Sequence, residues 1–157
     1  MALFVSTFIN KVDRKGRVSV PAQFRAALGS PTQQSLVVYP SFTLSAVEGC
    51  GIDFLERLAE STSTSFDVFS TEQEDITTLI FATSHQLAWD PEGRIILPED
   101  ILAHAGITEQ VAFVGKGRTF QLWEPAAHEE HKAQARARAL ENRPKIALRP
   151  APGSEGL

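Results

Sequence analysis

The stretch Asp13-Arg14-Lys15-Gly16-Arg17 recurs 77 residues later as Asp90-Pro91-Glu92-Gly93-Arg94. The same offset sets Pro21 against Pro98, Phe24 against Ile101 and Gly29 against Gly106, with no gap between the six pairs. The chain therefore carries an internal duplication, and a repeat constrains a fold more strongly than any single element. In each copy an apolar-alternating run precedes the motif, and a second apolar run follows it and ends in proline. Asp at the first position of a turn can accept from backbone N–H groups further on, and Gly at the fourth tolerates positive φ. Pro91 also pre-sets φ at the second position of the later copy. Each motif is thus the tip of a β-hairpin.

Working outward, residues 4–12 read as a strand, with Phe8, Asn10 and Val12 on one face and Ile9 and Lys11 on the other. Residues 18–20 and 95–97 form the return strands. Pro21 and Pro98 then suit the first position of a short helix, where a missing N–H costs nothing. Gly29 and Gly106 stand where a left-handed cap is expected. Strands follow at 35–39 and 43–47 in the first half and at 110–114 and 119–123 in the second, the latter pair joined by the turn Gly115-Lys116-Gly117-Arg118. Each half reads strand, turn, strand, short helix, strand, turn, strand. Between the halves, helices are expected at 52–61 and 71–81, separated by the polar tract 61–65, with Thr71 and Glu74 in a capping-box pattern. A final alanine-rich, charged helix is expected at 125–140, and a tail rich in Pro and Gly follows from Asn142.

The 157 residues are 43% apolar, enough for a core, but each repeat of about 45–50 residues is marginal by itself. Two such halves must pack on each other. Trp89 and Trp123 belong to that shared core. No run of roughly 18 apolar residues suggests a membrane span, and no secretory leader is evident. The one cysteine, Cys50, cannot form an internal disulfide and reads as a small buried residue. These features point to a soluble, cytoplasmic protein.

Net charge is −4, but its distribution is uneven. Residues 8–29 carry +4, residues 48–75 carry −7, residues 90–109 carry −4 and residues 116–149 carry +4. A positive edge on an acidic body fits an oriented contact with a polyanion. No catalytic constellation is visible. His128 and His131 lie three apart with no third ligand, and read as a solvated helix face; His85 and His104 stand alone; Gly115-Lys116-Gly117 is too short for a phosphate loop. The first hairpin is different, placing Arg14, Lys15 and Arg17 at a projecting tip with Lys11 on the incoming strand. Such a tip can deliver charge to phosphates, and arginine can also grip a guanine edge. Turn geometry accounts for Asp13, Gly16 and Gly93, but not for the arginine at the fifth position of both copies. That recurrence indicates either function or a shared structural ion pair.

The repeated D-x-x-x-R stretch, with V-S-V-P-A-Q-F-R after the first copy and I-I-L-P-E-D-I-L after the second, resembles the MraZ family. V-A-F-V-G-K-G-R-T-F-Q-L-W-E and L-A-W-D-P-E-G-R fit the same family, and the resemblance covers residues 3–140. It implies a mainly β fold with short helices (α+β), made of two SpoVT/AbrB-like swapped-hairpin β-barrel halves that form a pseudo-dimer. The implied layout is a first unit at 7–51, a helical connector at 52–82, a second unit at 83–126, a C-terminal helix at 127–141 and a disordered tail at 142–157. It further implies a ring-shaped homo-oligomer that binds direct repeats in double-stranded promoter DNA, upstream of the division and cell-wall gene cluster containing its own gene. The family motif falls on Asp13 and Arg17 and on Asp90 and Arg94. With Lys11, Arg14 and Lys15 the first motif forms the expected DNA-binding set. In the second, the centre is Pro91-Glu92, so Asp90 and Arg94 are expected to be structural or weaker contacts. The resemblance implies a nucleoid-associated regulator with no catalytic residue, cofactor, metal or small-molecule substrate. An AbrB-like antitoxin or interaction module is the alternative.

Overall fold

The computed structural model describes residues 2–29 and 34–153. The last four residues of the expected tail, and four residues of the first unit, lie outside them. The elements in order are β1 (Thr7–Lys11), β2 (Arg17–Ser19), α1 (Ala22–Leu28), β3 (Ser35–Pro40), β4 (Val47–Cys50), α2 (Ile52–Ser65) and α3 (Thr71–Thr77), which runs on into a π-helical turn (Thr78–Ala82). Then come β5 (His85–Ala88), β6 (Arg94–Ile96), α4 (Glu99–Ala105), β7 (Gln110–Gly115), β8 (Phe120–Trp123) and α5 (Pro125–Asn142). The fold is α+β, mainly antiparallel sheet with short helices.

Six strands form one sheet in the order β1-β7-β8-β4-β3-β5, and β2 pairs with β6 in a separate ribbon. Exchanging each strand for its counterpart in the other repeat turns this order into its own reverse. β1 of the first repeat is bonded to β7 of the second, and β5 of the second to β3 of the first. The expected motif hairpins do not form: β1 and β2 flank the first motif and β5 and β6 the second, yet neither couple is paired, because each turn carries the chain out of the sheet and into the ribbon, where β2 and β6 bond to each other. The halves therefore share every layer. The sheet is open, with β1 and β5 as its edges, so among the described residues there is no closed barrel: the ribbon folds over one sheet face instead of joining the edges.

Alternation explains the burial. Phe8 and Asn10 of β1 are half-buried, whereas Thr7, Ile9 and Lys11 are exposed. Val111 and Phe113 of β7 and Phe120 and Leu122 of β8 face the main core, together with Val18, Val20, Phe24, Ile95, Leu97 and Ile101 from the ribbon and from α1 and α4. Ala112, Val114 and Trp123 face the opposite side, where Ala127 of α5 covers them. Phe24 lies between Phe4, Phe8, Phe113 and Phe120, with ring centroids 5.2, 5.7, 6.1 and 5.3 Å away. Cys50 is buried, and burial pushes its thiol up to about 12, the behaviour of a core residue and not of a nucleophile.

Several boundaries differ from expectation. β4 begins at Val47 and not at residue 43, because the Ser41 hydroxyl accepts from the N–H groups of Thr43 and Leu44 and turns the chain there. The repeat offset shrinks accordingly, from 77 at the motifs to 75 between Ser35 and Gln110 and 73 between Val47 and Phe120, the first residues of the paired strands. The polar tract 61–65 is helical and not a break. Thr62 and Ser63 donate to the Ala59 carbonyl and Thr64 to that of Glu60, so their side chains support the helix. The cap of α3 is Ser70, whose hydroxyl accepts from Gln73 N–H, one residue before the expected frame. Pro21 and Pro98 occupy the caps of α1 and α4, not the first helical turn. α2 after β4 and α5 after β8 are also counterparts, extending the duplication by one helix per half. Residues 143–153 contain no helix or strand.

Gly16 has φ +81°, and a Cβ there would lie 2.9 Å from the Leu97 carbonyl oxygen. Gly106 has φ +65° but open space around it. Alanine at either site meets the left-handed penalty of about 1–2 kcal/mol, and only Gly16→Ala adds a backbone clash across the ribbon. Gly16→Ala is expected to lower the thermal midpoint further than Gly106→Ala; equal shifts would show that the close approach is immaterial.

Candidate nucleic-acid interface

The two motif turns are built alike, around one carboxylate each. Asp13 N–H donates to the Arg17 carbonyl at 3.0 Å and Gly16 N–H to the Asp13 carbonyl at 3.0 Å. Asp13 Oδ1 accepts from the N–H groups of Lys15 and Arg17, both at 2.9 Å, and Oδ2 accepts from Arg17 Nε at 2.6 Å. In the second copy Asp90 Oδ1 accepts from Glu92 N–H at 2.9 Å and Arg94 N–H at 3.0 Å, and Oδ2 from Arg94 Nε at 3.0 Å. The recurrent arginine is thereby explained as half of a shared ion pair. Of the two readings left open by the sequence, the geometry favours the structural one for Arg17 and Arg94.

The ribbon then joins the two tips. Arg17 pairs with Ile96 and Ser19 with Arg94, while Leu97 N–H donates to the Gly16 carbonyl and Val20 N–H to that of Gly93. This register brings Arg17 into one surface concavity of about 440 Å³ with Trp89, Asp90, Arg94 and Ile96. Arg14, Lys15 and Lys11 are exposed, and among the described residues none of their side chains has an ion-pair partner. The first tip is thus a rigid backbone loop carrying free cations. The second carries Glu92, whose carboxylate lies 3.7 Å from Arg94 Nη2. Arg25 of α1 was missed by sequence reasoning: it packs over the second tip, where a Cβ on Gly93 would meet its Cζ at 2.7 Å, and its Nε donates to the Val20 carbonyl. The signal was available, since its repeat counterpart is the apolar Leu102.

The histidines correct expectation. His131 stacks on Trp123 at 4.5 Å and 28°, and His128 tilts against the same ring at 5.7 Å, so they anchor α5 and do not form a solvated face. Burial lowers both imidazole pKa values, assisted by Lys132 at His128 and by Lys116 at His131. Trp123 Nε1 donates to Gln121 Oε1, and Gln121 Nε2 donates to Glu48, closing a polar chain across β8 and β4. Nor do the other two stand alone: His85 Nε2 lies 2.9 Å from Asp100 Oδ2, and His104 Nε2 lies 3.2 Å from the Leu44 carbonyl.

The Arg17 N–H, with the guanidinium and the Lys15 N–H, holds the Asp13 carboxyl below its ordinary pKa, and Arg94 and Glu92 do the same for Asp90. A carboxyl depressed on folding stabilises the native state above its unfolded pKa of about 4, and that contribution disappears as pH falls through the lower folded value. Thermal midpoints of the wild type are therefore expected to drop more steeply below about pH 4 than those of the Asp13→Asn/Asp90→Asn variant. Parallel profiles would show that the two turns contribute no pH dependence.

Among the described residues no helix is long and apolar enough to cross a membrane. The family described as "MraZ protein, putative antitoxin-like" matches residues 80–148. A protein of Rickettsia akari (strain Hartford) named Transcriptional regulator MraZ is 43% identical over 143 residues, covering 91% of this chain and 95% of its own. One of Rickettsia bellii (strain OSU 85-389) with the same name is 44% identical over 144 residues, with the same coverage. At that identity over nearly the whole of both chains, the chain belongs to the MraZ family.

Proposed function

We propose that this protein is a transcription regulator that binds double-stranded DNA through its first motif turn, between β1 and β2. The observation that carries the reading is the pair Arg14 and Lys15, exposed and unpaired on a turn whose backbone is tied down by Asp13. A preorganised loop loses little entropy on docking, so its charges are available to phosphates and base edges. The names of the relatives support a regulatory role. Lys11 adds a phosphate contact beside the tip. Arg17 chiefly holds the turn and presents the rest of its guanidinium to the concavity shared with Arg94. The second tip, acidic at its centre, serves the fold or subunit packing.

The finer picture belongs to the same proposal. The units at 7–51 and 83–126 form a swapped-hairpin pseudo-dimer, a reading supported by the crossed pairing of β1 with β7 and of β5 with β3. The protein acts in the cytoplasm, on the nucleoid, as a ring of like subunits. The ring would engage direct repeats upstream of the division and cell-wall cluster that contains its gene, with linked weak contacts multiplying through effective concentration. It has no catalytic role. Gel-shift titration with DNA from upstream of its own gene, against scrambled DNA of equal length, tests the function. Preferential retardation of the upstream fragment at low salt is expected, and no retardation of either fragment refutes DNA binding. The antitoxin-like description of the family favours a second reading, a protein partner neutralised by the chain. Co-purification of a toxin encoded by a neighbouring gene, without DNA retardation, would replace the first reading by the second.

A further inference from the structure

The C-terminal helix has a use that the first motif turn does not exhaust. Among the described residues, the packing of α5 on the sheet comes from its first two turns, through Ala127 and the rings of His128 and His131 on Trp123. From Lys132 to Gly153 every residue is exposed except the half-buried Ala135. Beyond its anchor the helix has no buried face, its alanines let it persist without one, and Leu140, Ile146 and Leu148 are exposed along with the charges. The segment 132–149 carries six bases, Lys132, Arg136, Arg138, Arg143, Lys145 and Arg149, against the single acid Glu141. Lys132 is paired with Glu129 at 2.9 Å, and among the described residues no ion pair engages the other five.

We infer that residues 132–149 form a basic arm that contacts the DNA backbone without sequence preference, in addition to the contact made by the first motif turn. The inference rests on the DNA-binding reading above. Strand register puts α5 and Lys11 on one face of the sheet, with the helix advancing from His128 to His131 toward Lys116, at the end of β7 remote from Gln110. Lys11 is opposite Gln110 and Ile9 opposite Ala112, so Lys11 projects from the same sheet face that α5 covers. The arm's cations are not arranged as a helix-docking stripe. Arg136 and Arg138 diverge by roughly 160° around the helix axis at 3.6 residues per turn, and the remaining three lie beyond the helix end. Scattered cations suit a target that presents phosphates along its whole length, and each neutralised phosphate adds to the salt dependence of binding. The competing occupant is the acidic helix α2 of a second copy, with Asp53, Glu56 and Glu60 exposed. It would require a matched stripe that the arm lacks.

The test compares the full-length wild type with a variant in which Arg136, Arg138, Arg143, Lys145 and Arg149 are all replaced by glutamine, and with Arg14→Ala/Lys15→Ala. Fluorescence anisotropy reads binding to upstream and scrambled DNA across salt, and light scattering reads subunit number. For the arm variant, affinity for both DNAs should fall at least about tenfold at low salt, with a log–log salt slope shallower by about 2–4. Upstream preference should be retained. An unchanged slope overturns the arm even if the turn variant loses binding. An unchanged slope with a changed subunit number reassigns the arm to α2 of a second copy. If instead the arm variant loses its slope while the turn variant keeps full upstream affinity, the arm stands and the turn assignment fails.

Discussion

Replacing Arg14 and Lys15 together by alanine is expected to lower affinity for the upstream DNA by about 10- to 100-fold and to flatten its log–log salt slope by about 2. The fold should survive, which makes the variant informative. The carboxylate of Asp13 holds the turn through the N–H groups of Lys15 and Arg17 and the side chain of Arg17, none of which the substitutions remove. The singles should separate two modes of contact. Lys15→Ala should weaken upstream and scrambled DNA alike, as loss of a phosphate contact does. Arg14→Ala should also erode the preference between them if its fork reads a guanine edge, an effect of about 1–3 kcal/mol. Arg17→Ala is a poorer probe, because it breaks the ion pair with Asp13 and disturbs the turn itself. Anisotropy titrations on both DNAs decide the matter, and unaltered binding by the double variant removes the first tip from the interface.

Phe24→Ala should destabilise the whole molecule by about 3–5 kcal/mol. Phe24 is 1% exposed, and its ring touches four other phenylalanine rings. Phe4 and Phe8 enter from the N-terminal side, and Phe113 and Phe120 from the second repeat, so the cavity opens where the two halves meet. Urea unfolding followed by circular dichroism and by the fluorescence of Trp89 and Trp123 should shift to lower denaturant with both probes coincident, as one cooperative unit demands. Two separated transitions, or a loss below about 1 kcal/mol, would show that the halves do not depend on this ring.

Much of this is legible in the sequence. The motif turns are local: Asp at the first position and Gly at the fourth are chemistry within five residues, and both turns form where the motif places them. The strands on either side pair with other strands and not with each other, so the expected hairpins were wrong. The core face of β1 follows from alternation, and Phe24 and Ile101 from helical spacing. The errors are equally instructive. β4 starts later than its apolar run suggests because one hydroxyl, that of Ser41, redirects the chain. The tract 61–65 continues the helix because serine and threonine can bond backward as readily as they can terminate.

The sequence by itself determined the duplication, the two motif turns, the α+β class and the concentration of positive charge on the first turn and the last segment. Each of these is written in spacing or in residue type. Only the tertiary structure decided which strands pair across the halves and that Arg25 lies over the second turn. It also decided that two histidines anchor the last helix and leave its basic end bare. The physical reason is sequence separation. A turn closes on neighbours whose identities are adjacent in the chain, whereas β1 meets β7 and Trp89 shares a concavity with Arg17 across some 70 to 100 residues, and no local pattern states which of the compatible surfaces will meet.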